Sequence, residues 1–176
     1  WDGQALRSRN GNTINAPAWF VKGFPAQALD GELWIGRGRF DLLSSTVRRR
    51  APDDAEWRQV RYLVFELPQA PGTFRERAQA LRKVVAAAGV PWLQAVEQFE
   101  IRDRKALDRK LDEILKIGGE GLMLHRADAL YTTGRSDVLL KMKLWHDAEA
   151  MVVAHQPGKG KYKGQLGARS EEHTSE

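Results

Sequence analysis

Five short stretches of this chain combine residue types that suit chemistry on phosphate. Asp30-Gly31-Glu32 sets two carboxylates about a glycine, and Gly119-Glu120-Gly121 isolates a third between two glycines. Lys141-Met142-Lys143 places two ammonium groups at alternate positions of an otherwise apolar run, so that on a strand both point to one face. Phe65 lies in Tyr62-Leu-Val-Phe-Glu-Leu67, and Arg9 lies in Ser8-Arg9-Asn10-Gly11. Carboxylates can hold a divalent cation, lysines can neutralise phosphate, and an aromatic ring can stack on a base. Singly, each stretch has an equally simple structural reading. Asp30-Gly31 suits a turn entering a strand, and Phe65 suits a core aromatic. Gly119-Glu120-Gly121 suits a helix stop, and the lysine pair suits a solvated strand face.

Other chemistries find little support. The chain has no cysteine, which excludes disulfides and thiolate ligands, and His125, His146, His155 and His173 show no zinc-type spacing. Gly36-x-Gly38 runs on into Arg39-Phe40-Asp41 and is no dinucleotide fingerprint, while Gly158-x-Gly160 lacks the Gly-Lys-Ser/Thr of a phosphate loop. Formal net charge is +5 over 176 residues. Arginines crowd the first fifty positions, and Lys159, Lys161 and Lys163 crowd the end. Such clusters suit a polyanionic partner, because neutralising phosphates releases condensed counterions, and they suit a solvated basic surface equally well.

These residues need elements to hold them. Strands are expected at Gln4–Ser8, Leu29–Ile35, Arg61–Glu66, Ala95–Ile101, Gly121–His125, Val138–Lys143 and Ala148–His155, each alternating or β-branched with Gly, Pro or Asp nearby. One helix is expected to start at Thr73, with Glu76 completing a capping box, and to stop near Gly89; its apolar stripe is Ala78, Leu81, Val85 and Ala88. A second starts near Asp103, buries Leu107, Leu111, Ile114 and Leu115, and ends at Gly118-Gly119; a weaker one runs from Phe40 to about Val47. Strands with helices interposed, but without strict alternation, imply an α+β domain of mostly antiparallel sheets with flanking helices.

Order and spacing join the stretches. Ser8-Arg-Asn-Gly11, Asp30-Gly-Glu32, Phe65, Gly119-Glu-Gly-Leu-Met123 and Leu140-Lys-Met-Lys143 follow one another as the motifs of covalent nucleotidyltransferases do, so the chain resembles that superfamily. Pro17-Ala-Trp-Phe20, Leu29-Asp-Gly-Glu-Leu-Trp34, Gly36-Arg-Gly-Arg-Phe40 and Gly121-Leu-Met-Leu-His-Arg126 resemble more narrowly the small bacterial ATP-dependent DNA ligases, over residues 1–168. The resemblance implies an ATP-grasp-like adenylation domain over residues 1–146, followed by the start of an OB-fold β-barrel over 147–168. It implies a ligase that seals nicks in duplex DNA through lysine-AMP and DNA-adenylate, using ATP with Mg²⁺ or Mn²⁺, in DNA repair, recombination or replication. Phe65 would stack on adenine and Glu32 would bond the ribose. Glu120 would face the metal, Lys141 and Lys143 the α-phosphate, and Arg9 the 5′-phosphate of the nick. Lys159, Lys161 and Lys163 would lie on a hairpin contacting the DNA backbone. An RNA ligase, a GTP-dependent capping enzyme and a DNA-binding module without catalysis stand as alternatives.

The family's first motif is Lys-x-Asp-Gly-x-Arg, whose lysine is adenylylated. Trp1-Asp2-Gly3 matches it only in part, since Ala5 stands where arginine is needed, and a lysine there would fall too near Arg9. The nucleophile is therefore expected upstream of Trp1, and residues 1–176 alone are expected to be inactive. The last eight residues, Arg169 to Glu176, resemble the translation of a sequencing-adapter oligonucleotide and are expected to be a tail outside the fold. No run suits a membrane span, a monomer is expected, and the resemblance leaves periplasm and cytoplasm both open.

Overall fold

The structure, a computed structural model, describes residues 1–144 and 150–173. It divides into two compact units, Trp1–Lys143 and Leu144–Glu176. The expected start of the second unit at Asp147, and the first two residues of the expected strand Ala148–His155, lie outside the described residues.

In the first unit, β1 (Leu6–Arg7) and β2 (Thr13–Ile14) form a short hairpin, and α1 (Ala18–Val21) follows. A three-stranded sheet then carries the core. In it β3 (Asp30–Trp34) pairs antiparallel with β4 (Arg61–Glu66), and β4 pairs parallel with β5 (Leu93–Ala95). Between β3 and β4 lie α2 (Phe40–Arg48) and α3 (Asp54–Trp57). The helix α4 (Phe74–Ala88) connects β4 to β5, and α5 (Arg104–Lys116) leads into the hairpin of β6 (Gly121–His125) and β7 (Leu139–Lys143).

Local chemistry accounts for most of these boundaries. Thr73 caps α4 through a complete capping box with Glu76, and Gly89 ends the helix at φ 62°. Asp103 caps α5 by accepting from the Ala106 N–H at 2.8 Å. The core gathers the inward residues of β4, Tyr62 and Val64, with Leu81 and Val85 of α4, Phe20 of α1 and Trp57 of α3. Phe20, Trp57 and Val64 are fully buried, with the rings of Phe20 and Trp57 4.7 Å apart, edge to face.

One strand of this unit lies elsewhere than expected. The third strand of the sheet is Leu93–Ala95 and ends where the expected Ala95–Ile101 begins. Leu93 is the buried partner of Tyr62, and one further bond, Val96 N–H to Val64 O at 2.8 Å, closes the ladder. Glu97, Phe99, Glu100 and Ile101 are exposed, and among the described residues no ladder extends the strand past Val96. The elements β2, α1 and α3, each of two to four residues, carry no sequence period and were not expected.

The second unit is an antiparallel hairpin of β8 (Ala150–Pro157) and β9 (Leu166–His173), joined through a 3₁₀ turn at Gly160–Tyr162. Two strands do not close a barrel. The segment set aside as a tail is paired strand over Arg169–His173, with His155 opposite Arg169 and Ala150 opposite His173. Ladder bonds are made by backbone groups, which a polar, acidic composition does not remove. No helix among the described residues is long and apolar enough to cross a membrane.

Candidate functional site

Alternation along β3 turns Asp30, Glu32 and Trp34 outward and Gly31 and Leu33 toward the core. Glu32 pairs with Leu63, and Phe65 lies two residues further along β4, on the same face as Leu63. Glu32 and Phe65 are thus diagonal neighbours on the outer face of the sheet. Phe65 keeps 38% of its surface exposed, whereas Val64 beside it keeps none. A ring left open on a sheet whose other face is packed is available for stacking. Gly31 permits the close approach of β3 to β4, because a Cβ there would lie 2.4 Å from the Leu63 carbonyl oxygen.

The carboxylate and lysines meet at the second hairpin. Gly121 pairs with Lys143 and Met123 with Lys141, so both lysines share one face. Glu120, immediately before β6, accepts from Lys141 Nζ at 2.9 Å. That hydrogen bond and charge hold the Glu120 carboxyl below the usual glutamate range, and the nearby Lys143 adds to the effect. Gly121 is obligatory: at φ 154°, a Cβ would sit 2.0 Å from the Met142 carbonyl oxygen. The glycine flanked by Glu120 therefore lets β6 press against β7 and brings carboxylate and lysine together.

An ionised carboxylate is a hard oxygen donor of the kind Mg²⁺ and Mn²⁺ take. No group of three or more His, Asp or Glu able to hold a metal occurs among the described residues. Glu120 alone thus offers an oxygen donor and no protein cage among the described residues.

Arg9 lies at the tip of the β1–β2 hairpin, exposed, in a turn closed by Gly11 N–H to Ser8 O at 2.8 Å and Asn12 N–H to Ser8 Oγ at 3.2 Å. No ion pair involves it among the described residues. In the second unit Lys159, Lys161 and Lys163 are exposed at the β8–β9 turn, and Lys161 Nζ lies 4.9 Å from the Tyr162 ring.

One constellation escaped sequence reasoning. Arg77 of α4 is 1% exposed, and its Nε and Nη2 donate to the two Glu66 carboxylate oxygens at 2.9 and 2.8 Å. Its Nη1 donates to Gly72 O at 2.7 Å and Ala129 O at 3.3 Å. Glu66 directly follows Phe65, and Ala129 lies in the loop after β6. The same loop accepts from Phe74 N–H at 2.8 Å and Arg75 N–H at 3.0 Å, and His125 stacks on Phe74 at 3.7 Å. Arg77 therefore ties the strand bearing Phe65 to the loop leaving the Glu120 hairpin. Its signal was its place on the apolar stripe, four residues before Leu81.

Comparison with known proteins gives the family and the fold. A family model described as the ATP dependent DNA ligase domain matches residues 6–143. A DNA ligase of Haemophilus influenzae is 32% identical over 168 residues, 96% of this chain and 62% of that protein. A probable DNA ligase of Mycolicibacterium vanbaalenii is 30% identical over 131 residues, 73% of this chain and 24% of that protein. The chain thus spans less than two thirds of either relative. A solved structure from a study of DNA binding by Lig E DNA ligases superposes with a TM-score of 0.88 at 43% identity, covering 98% of this chain and 68% of that one. The Chlorella virus DNA ligase-adenylate, at 20% identity and a TM-score of 0.68 over 97% of this chain and 67% of that one, shares the fold.

Proposed function

The chain belongs to the ATP-dependent DNA ligase family, and on that premise we propose that the whole protein seals nicks in duplex DNA. A lysine amine attacks the α-phosphate of ATP, forming a phosphoramidate N–P bond and releasing pyrophosphate. AMP then passes to the 5′-phosphate at the nick, which frees the lysine. The 3′-hydroxyl attacks that activated phosphate, forming the phosphodiester and expelling AMP. The contact that carries this reading is Glu120 to Lys141 at 2.9 Å, beside Lys143, because it sets a metal-directed carboxylate among phosphate-directed cations.

The residues divide the work. Phe65 stacks on adenine and Glu32 accepts from the ribose, which fixes the nucleotide's base end. Lys141 and Lys143 hold the α-phosphate and stabilise charge as the phosphorus centre becomes crowded. Their charge also disfavours a protonated amine nearby, keeping the attacking lysine neutral. A divalent cation at Glu120 supplies further neutralisation of phosphate oxygens when the nucleotide is bound. Arg9 offers a planar fork to the 5′-phosphate, a geometry that lysine lacks. Lys159, Lys161 and Lys163 contact the DNA backbone.

The chain spans less than two thirds of its curated relatives, so the test uses the whole protein. Incubation with ATP and Mg²⁺ is expected to add one AMP by intact mass, and a nicked DNA duplex is expected to discharge it. An adduct from GTP instead, or discharge only by nicked RNA, would move the chain to the capping or RNA-joining reading.

A further inference from the structure

Trp19, Arg58, Arg61, Pro91 and Trp92 line an open cleft of about 230 Å³, and none of them belongs to the site described above. Its walls come from α1, from the residue after α3, from the first residue of β4 and from the turn entering β5. Both indoles are fixed. Their rings meet edge to face with centroids 5.1 Å apart; Trp19 Nε1 donates to Asp54 Oδ1 at 3.0 Å, and Trp92 Nε1 donates to Phe20 O at 2.6 Å. Phe20 is wholly buried, so the aromatic walls stand on the core itself.

The cations are held as well, but not by carboxylates. The Arg58 guanidinium lies 5.6 Å from the Trp19 ring centroid, over its face. Arg61 Nη1 donates to Arg58 O at 3.2 Å and Val60 O at 3.1 Å. Among the described residues neither arginine forms an ion pair, and Asp54 directs one oxygen to Trp19. A guanidinium carries five N–H donors, so most of those on Arg58 and Arg61 remain for a ligand. Two like charges sharing one small cleft repel, and an anion between them removes that cost. Pinning them to a ring and to backbone carbonyls means that little side-chain entropy is left to lose on binding.

We infer that this cleft binds a phosphate group, gripped by Arg58 and Arg61 against the Trp19–Trp92 wall. A planar fork suits phosphate oxygens, and the chain's net charge favours a polyanion. Arg61 stands four residues before Phe65 on the same face of β4, roughly 13 Å away at about 3.3 Å per residue. The phosphate thus lies well apart from the stacked base. Its source is a DNA backbone phosphodiester or a free polyphosphate. The DNA source rests on the ligase reading, whereas the phosphate chemistry does not.

The test uses the chain itself, with Arg58→Gln/Arg61→Gln checked for native circular dichroism. A fluorescein-labelled duplex is titrated across salt concentrations, and tripolyphosphate is titrated against tryptophan emission. If the source is DNA, the double variant binds duplex about fivefold to tenfold more weakly near 0.1 M salt. The slope of log affinity on log salt then becomes shallower by about 1, as loss of one phosphate contact requires. If the source is free polyphosphate, tripolyphosphate shifts the emission of the parent but not the variant, while duplex affinity is unchanged. Unchanged duplex affinity and slope, with no arginine-dependent emission change, overturns the inference. Should the double variant unfold, Arg58→Gln alone decides, since that side chain is exposed and lies over the Trp19 ring. A tripolyphosphate response without any duplex binding would count against the ligase reading and leave the phosphate site standing.

Discussion

The three-stranded sheet and the β6–β7 hairpin each carry part of the candidate site, and they are built on different terms. Beneath Glu32 and Phe65 the sheet packs Tyr62 and Val64, at 3% and 0% exposure, against α4. The hairpin holding Lys141 and Lys143 leaves Met123 and Leu140 at 59% and 54% exposure; its strands are joined by the β-ladder and the Glu120–Lys141 pair, and His125 at its end stacks on Phe74 of α4. The base end of the site therefore stands on the hydrophobic core, while the phosphate end stands on backbone pairing and charge. Substitutions at the first are expected to mix stability with binding, and substitutions at the second to separate them.

The buried Glu66–Arg77 pair offers the largest break in that contrast. Arg77→Met leaves a buried carboxylate without its cation and is expected to cost about 3–5 kcal/mol in urea unfolding. A loss below about 1 kcal/mol would show that the sheet does not depend on this clamp. Phe65→Ala is expected to weaken ATP binding to the whole protein by about 1–3 kcal/mol, read by calorimetry. An unchanged affinity would return Phe65 to a packing role.

Smaller effects sharpen the comparison. Thr73→Ala removes the cap of α4 and is expected to cost about 0.5–2 kcal/mol. The same cap adds a pH dependence. The Thr73 backbone N–H, and then its hydroxyl, hold the Glu76 carboxyl below the usual glutamate range. A depressed folded-state value means that this stabilisation is complete above the ordinary glutamate range, near about pH 4.3, and is lost as pH falls through the folded-state value. Glu76→Gln is accordingly expected to flatten the acid limb of stability against pH, and an unaltered limb would remove Glu76 from that account. On the hairpin, Leu140→Ser is expected to change stability by no more than about 0.5 kcal/mol, because its side chain is already exposed.

Legibility in the sequence follows the range of the interactions. Helices α4 and α5 were readable because Thr73, Glu76, Asp103 and the following glycines act within a turn of the boundaries they set. Strands β4 and β6 coincide with their expected ranges because alternation is local too. Strand β5 was displaced because its partner lies some thirty residues back and pairing, not composition, decides where it ends. The run Arg169–His173, expected to be a tail because it resembles a translated adapter, pairs with β8 through backbone ladder bonds, which do not depend on side-chain composition. Of the proposed site, order and spacing single out Glu120, Lys141 and Lys143, and the structure brings the first two into contact. Glu66 with Arg77 was not, since a buried arginine resembles its exposed neighbours until α4 is packed on the sheet. The cleft in which Arg58 and Arg61 face Trp19 and Trp92 likewise forms only when three separate segments come together.

The central claim is that Glu120 supplies chemistry without supporting the fold, and Glu120→Ala in the whole protein tests it most directly. Lysine-AMP formation from ATP and Mg²⁺, followed by intact mass in a single turnover, is compared with urea unfolding of the same variant. The account predicts near-complete loss of the adduct together with a stability within about 0.5 kcal/mol of the parent. An adenylylation rate within a few-fold of the parent would contradict the assignment of Glu120 and, with it, the reading of the hairpin as the phosphate end of the site.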